Sequence, residues 1–414
     1  MEEYLVRNLM RKSFIFLWTF LLLFGFVIRN NSEAYTPVEL YDQVWRLVNT
    51  KFVDQTNNNQ DWSKWRHKYD NKIQTNEDAY VAINTMIASL NDPYTKFLDP
   101  KEFAEETSSI KGSLKGIGIQ IGVKDGKLMV IAPIEDTPAE RAGLLADDEI
   151  LEIDGKSTKG ITVDKAADQI RGKEGTQVTL LIKRKDSEPK SYTITRTEIE
   201  LKSISQKVPE SIKMPDEIGY IRLSSFISRN AAKEFGDILY TSKDKKGFII
   251  DLRSNPGGLL SNAIIISDMF LDKGVIVSTV DRDGYIETQR AETIIKGALT
   301  DKPIVVLINK GSASASEIFS GAIKDNHRGV IIGEQSFGKG LVQEINKLPY
   351  GAGINITIQK YLTPNGTDIN KKGITPDLVV ELTEEHAKNK NDVQLKKGIE
   401  VLQNMISGND IAKK

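Results

Sequence analysis

The chain has 414 residues, too many for one ordinary compact core, so the usual domain-size scale favours two or three domains. With 27% charged and 39% hydrophobic residues it is neither a wholly disordered chain nor a polytopic membrane protein, and 56 Lys plus Arg against 57 Asp plus Glu leave no electrostatic case for nucleic-acid binding. The absence of cysteine excludes disulfides, a thiol nucleophile, a cysteine zinc site and a lipid-modified amino-terminal cysteine.

Arg7, Arg11 and Lys12 precede an apolar run from Phe14 to Ile28, the order of a positive n-region and an h-region that feeds an export machinery. As a helix this run spans roughly 22 Å, short of a bilayer core of about 30 Å unless it tilts or its flanking residues snorkel. A buried core helix is the alternative, but only Thr19 and Gly25 interrupt the apolar surface and no polar face forms. Asn30-Asn31-Ser32-Glu33-Ala34 lacks a clean small-x-small pair and Arg29 directly follows the run, which tips the reading from a cleaved signal towards an anchor. Residues 1–35 are therefore expected to be a signal peptide or membrane anchor. The rest is placed in the cell envelope, in a periplasm or on the outer face of the cytoplasmic membrane.

Residues 36–107 read as a helical region. Tyr41, Val44, Trp45, Val48 and Phe52 fall at helical spacing, as do Tyr80, Ile83, Ile87 and Leu90 beyond the polar linker Asn57-Asn58-Asn59. Both helices are expected to serve packing or dimerisation, with Trp45, Trp62 and Trp65 core residues rather than a cofactor box.

Residues 108–198 turn β-rich. Gly116-Ile117-Gly118-Ile119 opens an alternating stretch, Lys127 to Ala132 reads as a strand, and Pro138 to Leu144 is a short helix ending in glycine. Glu149 to Lys156 is a strand entering an Asp-Gly turn, then come a helix near Val163 to Ile170 and a last strand from Gln177 to Lys183. This run resembles a PDZ domain of the bacterial protease type. Backbone N–H groups of the Gly116–Ile119 loop can cradle a terminal carboxylate while the adjacent strand edge adds the peptide. The bland alternative for these glycines is a relieved tight turn.

From residue 199 to 382 strand and helix alternate: strands at Ile218–Leu223, Gly247–Leu252 and Pro303–Ile308, and helices at Asn230–Tyr240, Leu260–Phe270 and Ala315–Asp325. Such alternation argues an α/β core with its chemistry in loops at the strand ends. Residues 383–414 close the chain as a charged helical tail carrying Val393, Ile399, Leu402 and Ile406, suited to packing or oligomerisation.

Gly311-Ser312-Ala313-Ser314-Ala315-Ser316-Glu317 follows the third of these strands. Ser314 to Glu317 fits the capping box, so Ser314 is on local grounds a helix cap. A buried strand entering a turn of small residues also presents a hydroxyl to a peptide carbonyl, with the Ala315 N–H available at the helix start to stabilise an oxyanion. Ser312 and Ser316 compete for the same role. The base is less open: His67 and His386 lie in charged segments, and His327 reads as the exit of the following helix. Lys339, between Gly338 and Gly340, can approach backbone closely, and desolvation would supply its neutral amine. A phosphate loop is not matched around it. Gln343, four residues on, shares its face in a strand or a helix and can orient the amine without holding it charged, the alternative being an exposed strand residue. Asp251-Leu252-Arg253-Ser254-Asn255-Pro256-Gly257-Gly258 adds a tight turn able to offer a second oxyanion donor, or only a turn.

Gly-Ser-Ala-Ser-Ala-Ser-Glu-Ile, Gly-Lys-Gly-x-Val-Gln with lysine 25 residues after Ser314, Asp-Leu-Arg-x-Asn-Pro-Gly-Gly, the PDZ-like run and Leu90-Asn91-Asp92-Pro93-Tyr94-Thr95 together resemble the C-terminal processing (tail-specific) serine protease family, from about Val38 to Leu402. The resemblance implies an α+β multidomain chain: an N-terminal helical segment, a PDZ domain, a crotonase-like α/β protease core and a C-terminal helix. It selects Ser314 as nucleophile over Ser312 and Ser316, Lys339 as base and Gln343 as orienter. It implies Ala315 N–H and an N–H of Gly257 or Gly258 as oxyanion donors, Gly116, Ile117, Gly118 and Ile119 as the peptide-binding loop, Arg171 as a PDZ residue coupling substrate to the active arrangement, and Asp325 as structural.

The expected activity is an exported serine endopeptidase without metal or organic cofactor, acting through an acyl-enzyme on proteins with flexible apolar carboxyl tails. Expected partners are those substrates, an adaptor or regulatory protein, a second copy of the chain in a homo-oligomer, and a membrane through the N-terminal segment. Two rivals stand beside it: a catalytically inactive PDZ scaffold, and a crotonase-like acyl transferase or hydratase.

Overall fold

The computed structural model describes residues 35–408 except 125, 135–136, 146, 186, 201–202, 293–296, 384 and 387–388. The apolar run Phe14–Ile28 lies outside the described residues. Among those that are described, no helix is long and apolar enough to cross a membrane.

The chain opens with α1 (Pro37–Lys51), α2 (Ser63–Arg66), α3 (Asn76–Ala88), β1 (Lys96–Leu98) and α4 (Pro100–Ile110). Closed capping boxes start three of them, Thr36/Glu39, Thr75/Asp78 and Asp99/Glu102, and proline at the first position of α1 and α4 suits a turn with no N–H to satisfy. Leu40, Val44 and Val48 on α1 meet Ile83, Met86 and Leu90, so the periodic positions form a core. The tryptophans belong to it: Trp62 is buried, and Trp45 and Trp62 each donate an indole N–H to the other's carbonyl, at 3.0 and 3.2 Å.

Next come β2 (Ser113–Gly116), β3 (Ile119–Lys124), β4 (Lys127–Pro133), α5 (Pro138–Arg141), β5 (Glu149–Ile153), β6 (Lys156–Ser157), α6 (Val163–Ile170), β7 (Gln177–Lys183), β8 (Lys190–Thr195) and β9 (Thr197–Glu200). Strands β3-β4-β5-β7-β8 form one sheet with β6 attached to β5, around Val130, Ile150, Ile153, Ala166, Leu180 and Ile182. The sequence reading stopped at β7 and missed β8, whose alternation Lys-Ser-Tyr-Thr-Ile-Thr buries only Ile194. It also missed that β9 pairs antiparallel with β2, making a two-stranded ribbon where the chain enters and leaves this unit.

The remainder is β10 (Ile204–Ser205), β11 (Ile218–Leu223), α7 (Ala231–Thr241), β12 (Gly247–Asp251), α8 (Leu260–Asp268), β13 (Val275–Asp281), β14 (Ile286–Arg290), β15 (Ile304–Ile308), α9 (Ala315–Asp325), β16 (Val330–Gly333), β17 (Leu341–Lys347), β18 (Gly353–Leu362), β19 (Leu378–Val379) and α10 (Val393–Ile406). One six-stranded sheet, β10-β11-β12-β15-β16-β19, is parallel from β11 to β19. Every residue of β12 and β15 is buried, as expected of parallel strands covered on both faces. One face packs on Phe235, Phe270 and Phe319 from the helical layer, the other on Leu395, Val401 and Leu402 of α10. A second, antiparallel sheet of β1, β13, β14, β17 and β18 brings β1 of the N-terminal region onto β18, and the sequence reading did not foresee it.

The turn after β12 is bolted to the start of α10. Arg253 donates to both oxygens of Asp251, at 3.0 and 2.7 Å, and to both oxygens of Asp392, at 2.8 Å each. Burial pushes the Asp251 carboxyl up, but hydrogen bonds from Arg253 and the charges of Arg253 and Arg222 outweigh it and hold the group below its ordinary value. Arg253→Met should therefore take the guanidinium from two carboxylates, leaving the fully buried Asp251 to Arg222 and the Tyr220 hydroxyl, and lower unfolding stability by about 3 kcal/mol in a urea titration.

Candidate active site

Three loops leave the carboxyl ends of β12, β15 and β16 and meet at one cleft of about 580 Å³. Ser314, Ala315, Gly257, Gly258, Lys339 and Gln343 all line it. The PDZ-like loop and Arg171 do not.

Ser314 holds φ 54° and ψ −114°, a left-handed conformation that costs a non-glycine residue on the order of 1–3 kcal/mol. The S-x-x-E arrangement is present and closes through the backbone of Ser314: the Glu317 N–H goes to the Ser314 carbonyl at 2.8 Å, and the Ser314 N–H goes to the Glu317 carboxylate at 2.8 Å. Its two competitors are buried and committed. Ser312 donates its hydroxyl to the Leu252 carbonyl at 2.8 Å and Ser316 to the Asn255 carbonyl at 3.0 Å, so both staple the serine turn to the loop that carries Pro-Gly-Gly.

That staple fixes a close approach. A Cβ on Gly257 would meet the Ala313 carbonyl oxygen at 2.7 Å and Ser314 Cβ at 2.8 Å, so only glycine fits. The Gly257 N–H is already used by Asn255 Oδ1 at 2.9 Å. Among the described residues the N–H groups of Gly258 and Ala315 have no protein acceptor.

Lys339 sits in the loop between β16 and β17. Segment 370–373 passes so close that a Cβ on Gly338 would meet Lys372 N at 2.8 Å and one on Gly340 would meet Asn370 N at 2.8 Å, which accounts for both flanking glycines. Burial lowers the Lys339 ammonium below its ordinary value against the opposing charges of Asp92, Glu106 and Glu317. Its Nζ lies 4.6 Å from the centroid of the Tyr94 ring. Gln343, at the bulge of β17, donates its amide to Thr357 Oγ1 at 3.4 Å, a long hydrogen bond.

Sequence reasoning treated Glu317 only as half of a cap. The buried carboxylate in fact accepts from Ser336 Oγ at 2.6 Å, Gly338 N at 2.7 Å, Lys339 N at 2.9 Å and Ser314 N at 2.8 Å, joining the serine turn to the lysine loop. Tyr361 donates its hydroxyl to the Ser314 carbonyl at 3.2 Å.

Elsewhere, Ile117 and Gly118 turn their carbonyls onto Ala139 N at 2.8 Å and Ile134 N at 2.9 Å, fixing the Gly116–Ile119 loop against α5. Arg171 pairs with Glu105 of α4 at 3.2 Å, and Lys101 of α4 reaches Asp168 of α6 at 2.7 Å. His327 lies at the exit of α9, as read, and Asp325 accepts Asn365 N at 3.0 Å, a structural contact.

The family model described as peptidase family S41 matches residues 217–380, and a PDZ domain model matches residues 129–184. The chain is 43% identical over 345 residues to a carboxyl-terminal-processing protease of Synechocystis sp., covering 82% of this chain and 80% of that protein. It is 38% identical to a chloroplastic carboxyl-terminal-processing peptidase 2 of Arabidopsis thaliana, over 82% of this chain and 68% of the relative. Among solved structures it is similar to a photosystem II D1 C-terminal processing protease, with 31% identity, a TM-score of 0.57, and coverage of 89% and 98% of the two chains.

Proposed function

The chain belongs to the carboxyl-terminal-processing serine proteases of peptidase family S41, and on that premise we propose that it is an exported endopeptidase in which Ser314 is the nucleophile and Lys339 its base. The observation that carries the assignment is the strained Ser314 on one cleft with a lysine whose burial favours the neutral amine. The amine takes the Ser314 proton as Oγ attacks the peptide carbonyl, then gives it to the departing amine. Water, deprotonated by the Lys339 amine, then attacks the ester; the bond to Ser314 Oγ breaks, Oγ takes the proton back from Lys339, and the new carboxyl terminus leaves. Ala315 and Gly258 supply the oxyanion N–H groups, Gly258 being preferred to Gly257 because the latter already serves Asn255. Gln343 is the orienting amide, itself held at Thr357.

In the same reading the Gly116–Ile119 loop takes the substrate's terminal carboxylate and the edge of β3 takes its tail, so the captured chain is delivered to Ser314 at high local concentration. Arg171, held by Glu105, links that unit to α4, and Glu106 on α4 lines the catalytic cleft. Export is supported by the three basic residues ahead of Phe14–Ile28.

The test is digestion of one loosely folded protein with and without its carboxyl-terminal residues. Loss of the tail should raise KM on the order of 10-fold or more while leaving kcat nearly unchanged, as expected when delivery rather than chemistry is lost. Equal KM for both substrates would defeat capture by the loop, and cleavage by Ser314→Ala would defeat the assignment of the nucleophile.

A further inference from the structure

Leu90-Asn91-Asp92-Pro93-Tyr94-Thr95 ends 244 residues before Lys339 and has no part in the steps assigned to Ser314, Lys339 and Gln343. It is a built turn. Asn91 is left-handed at φ 50°, and the Asp92 carboxylate accepts Tyr94 N at 3.2 Å, Thr95 N at 3.1 Å and the Thr95 hydroxyl at 2.6 Å. Thr95 Oγ1 in turn accepts the Thr357 N–H at 3.1 Å, which clamps the turn to β18, the strand paired with β17 beside Lys339. The assembly sets Pro93 and Tyr94 on the wall of the cleft that holds Ser314.

We propose that Tyr94 is a positioning residue for the catalytic lysine: its ring face, 4.6 Å from Lys339 Nζ, receives the ammonium formed when the amine has taken the serine proton. The proposal rests on Lys339 being the base. A cation within about 6 Å of an aromatic centroid is attracted by the ring quadrupole, whereas a neutral amine gains little. The contact therefore strengthens as the proton moves, and an interaction stronger in the transition state than in the ground state accelerates the step. The other groups facing Lys339 are the carboxylates of Asp92, Glu106 and Glu317. They also favour ammonium, but Glu317 is occupied by four donors and Glu106 accepts both contacts from the Asn355 amide, at 3.0 and 3.1 Å. A ring can stabilise the charge without offering an acceptor that would lock the amine in one direction away from Ser314.

The experiment compares pH profiles of kcat/KM for the wild type, Tyr94→Phe, and a protein carrying pentafluorophenylalanine in place of Tyr94. The fluorinated ring keeps the shape of phenylalanine and drains charge from its face, so folding is not what differs between the two. Relative to Tyr94→Phe, it should lower the plateau roughly 3- to 30-fold, the scale of a partly desolvated cation–π contact. Its acid limb should also move to lower pH, because a lysine that has lost a stabiliser of its charged form gives up its proton earlier. Coincident profiles for the two rings would overturn the proposal, as would a Tyr94→Phe protein already as impaired as the fluorinated one, since the hydroxyl would then carry the effect. Lys339→Ala separates the premise: residual wild-type turnover there would remove the lysine as base, whereas a dead Lys339→Ala with coincident ring profiles removes Tyr94 alone.

Discussion

Lys339→Met is expected to abolish proteolysis and at the same time to raise the melting temperature. A positioned general base contributes on the order of 10²–10⁴-fold, and an aliphatic hydroxyl without one is a poor nucleophile, so kcat/KM should fall by at least about 10³-fold. The gain in stability follows from the lowered lysine. Burial disfavours its ammonium in the folded chain, whereas the unfolded chain carries it at the ordinary value near 10.4. Between the lowered folded value and the unfolded one the unfolded state binds more protons, so wild-type stability rises with pH across that window. The cost is greatest below the lowered value, where the folded protein must bury the charge. Methionine has similar reach and no charge, and removes the cost. Melting curves at pH 6 and pH 9 should show the variant's advantage over wild type shrinking at the higher pH, a range chosen to bracket a base poised near working pH. Wild-type hydrolysis should climb over the same interval as the amine loses its proton. A variant that melts lower at both pH values, or that keeps turning over substrate, would contradict a desolvated basic lysine.

The parts of this molecule legible in its sequence are those in which the chemistry lies close along the chain. Gly311 to Glu317, Gly338 to Gln343 and Asp251 to Gly258 could each be read as a strand-end loop, because β15 is wholly apolar, β12 carries Phe-Ile-Ile, and both have glycine in the loops that follow them. The second sheet was not legible for the opposite reason: β14 reads Ile-Glu-Thr-Gln-Arg and is almost wholly exposed, and β17 is half-exposed along its length, so neither alternates cleanly. Ser312, Ser314 and Ser316 could not be separated by residue type. Hydrogen bonds separate them, since two of the three hydroxyls are spent on carbonyls of the neighbouring turn. Gly257 and Gly258 divide in the same way, through the side chain of Asn255. Tyr94 and Lys339 meet only because β1 and β18 pair across the fold, and no local pattern announces that pairing.

Glu317 is where those distant pieces are held in register, and its replacement should be costly even when conservative. Its two oxygens receive four donors: Ser314 N and Lys339 N on one, Ser336 Oγ and Gly338 N on the other. Only an ionised carboxylate is an acceptor on both sides. In Glu317→Gln one oxygen becomes an NH₂ that faces two donors, so either the Ser314 and Lys339 amides or the Ser336 and Gly338 pair must turn away. Glu317→Ala leaves all four without an acceptor in a buried site. Each stranded donor costs about 1–3 kcal/mol, and bonds to a charged acceptor are at the stronger end, so a loss of about 3–5 kcal/mol is expected for alanine and roughly half for glutamine. The kinetic effect should exceed what stability alone predicts. The carboxylate touches the backbone of both Ser314 and Lys339, and a shift of about 1 Å between reacting groups costs on the order of 10²-fold. Assayed well below its melting point, Glu317→Gln should lose that factor in kcat with little change in KM, since the walls that bind substrate stay in place. Urea titration and steady-state kinetics on the same preparation decide it: a glutamine variant matching wild type in both would mean that the serine turn and the lysine loop hold their places independently.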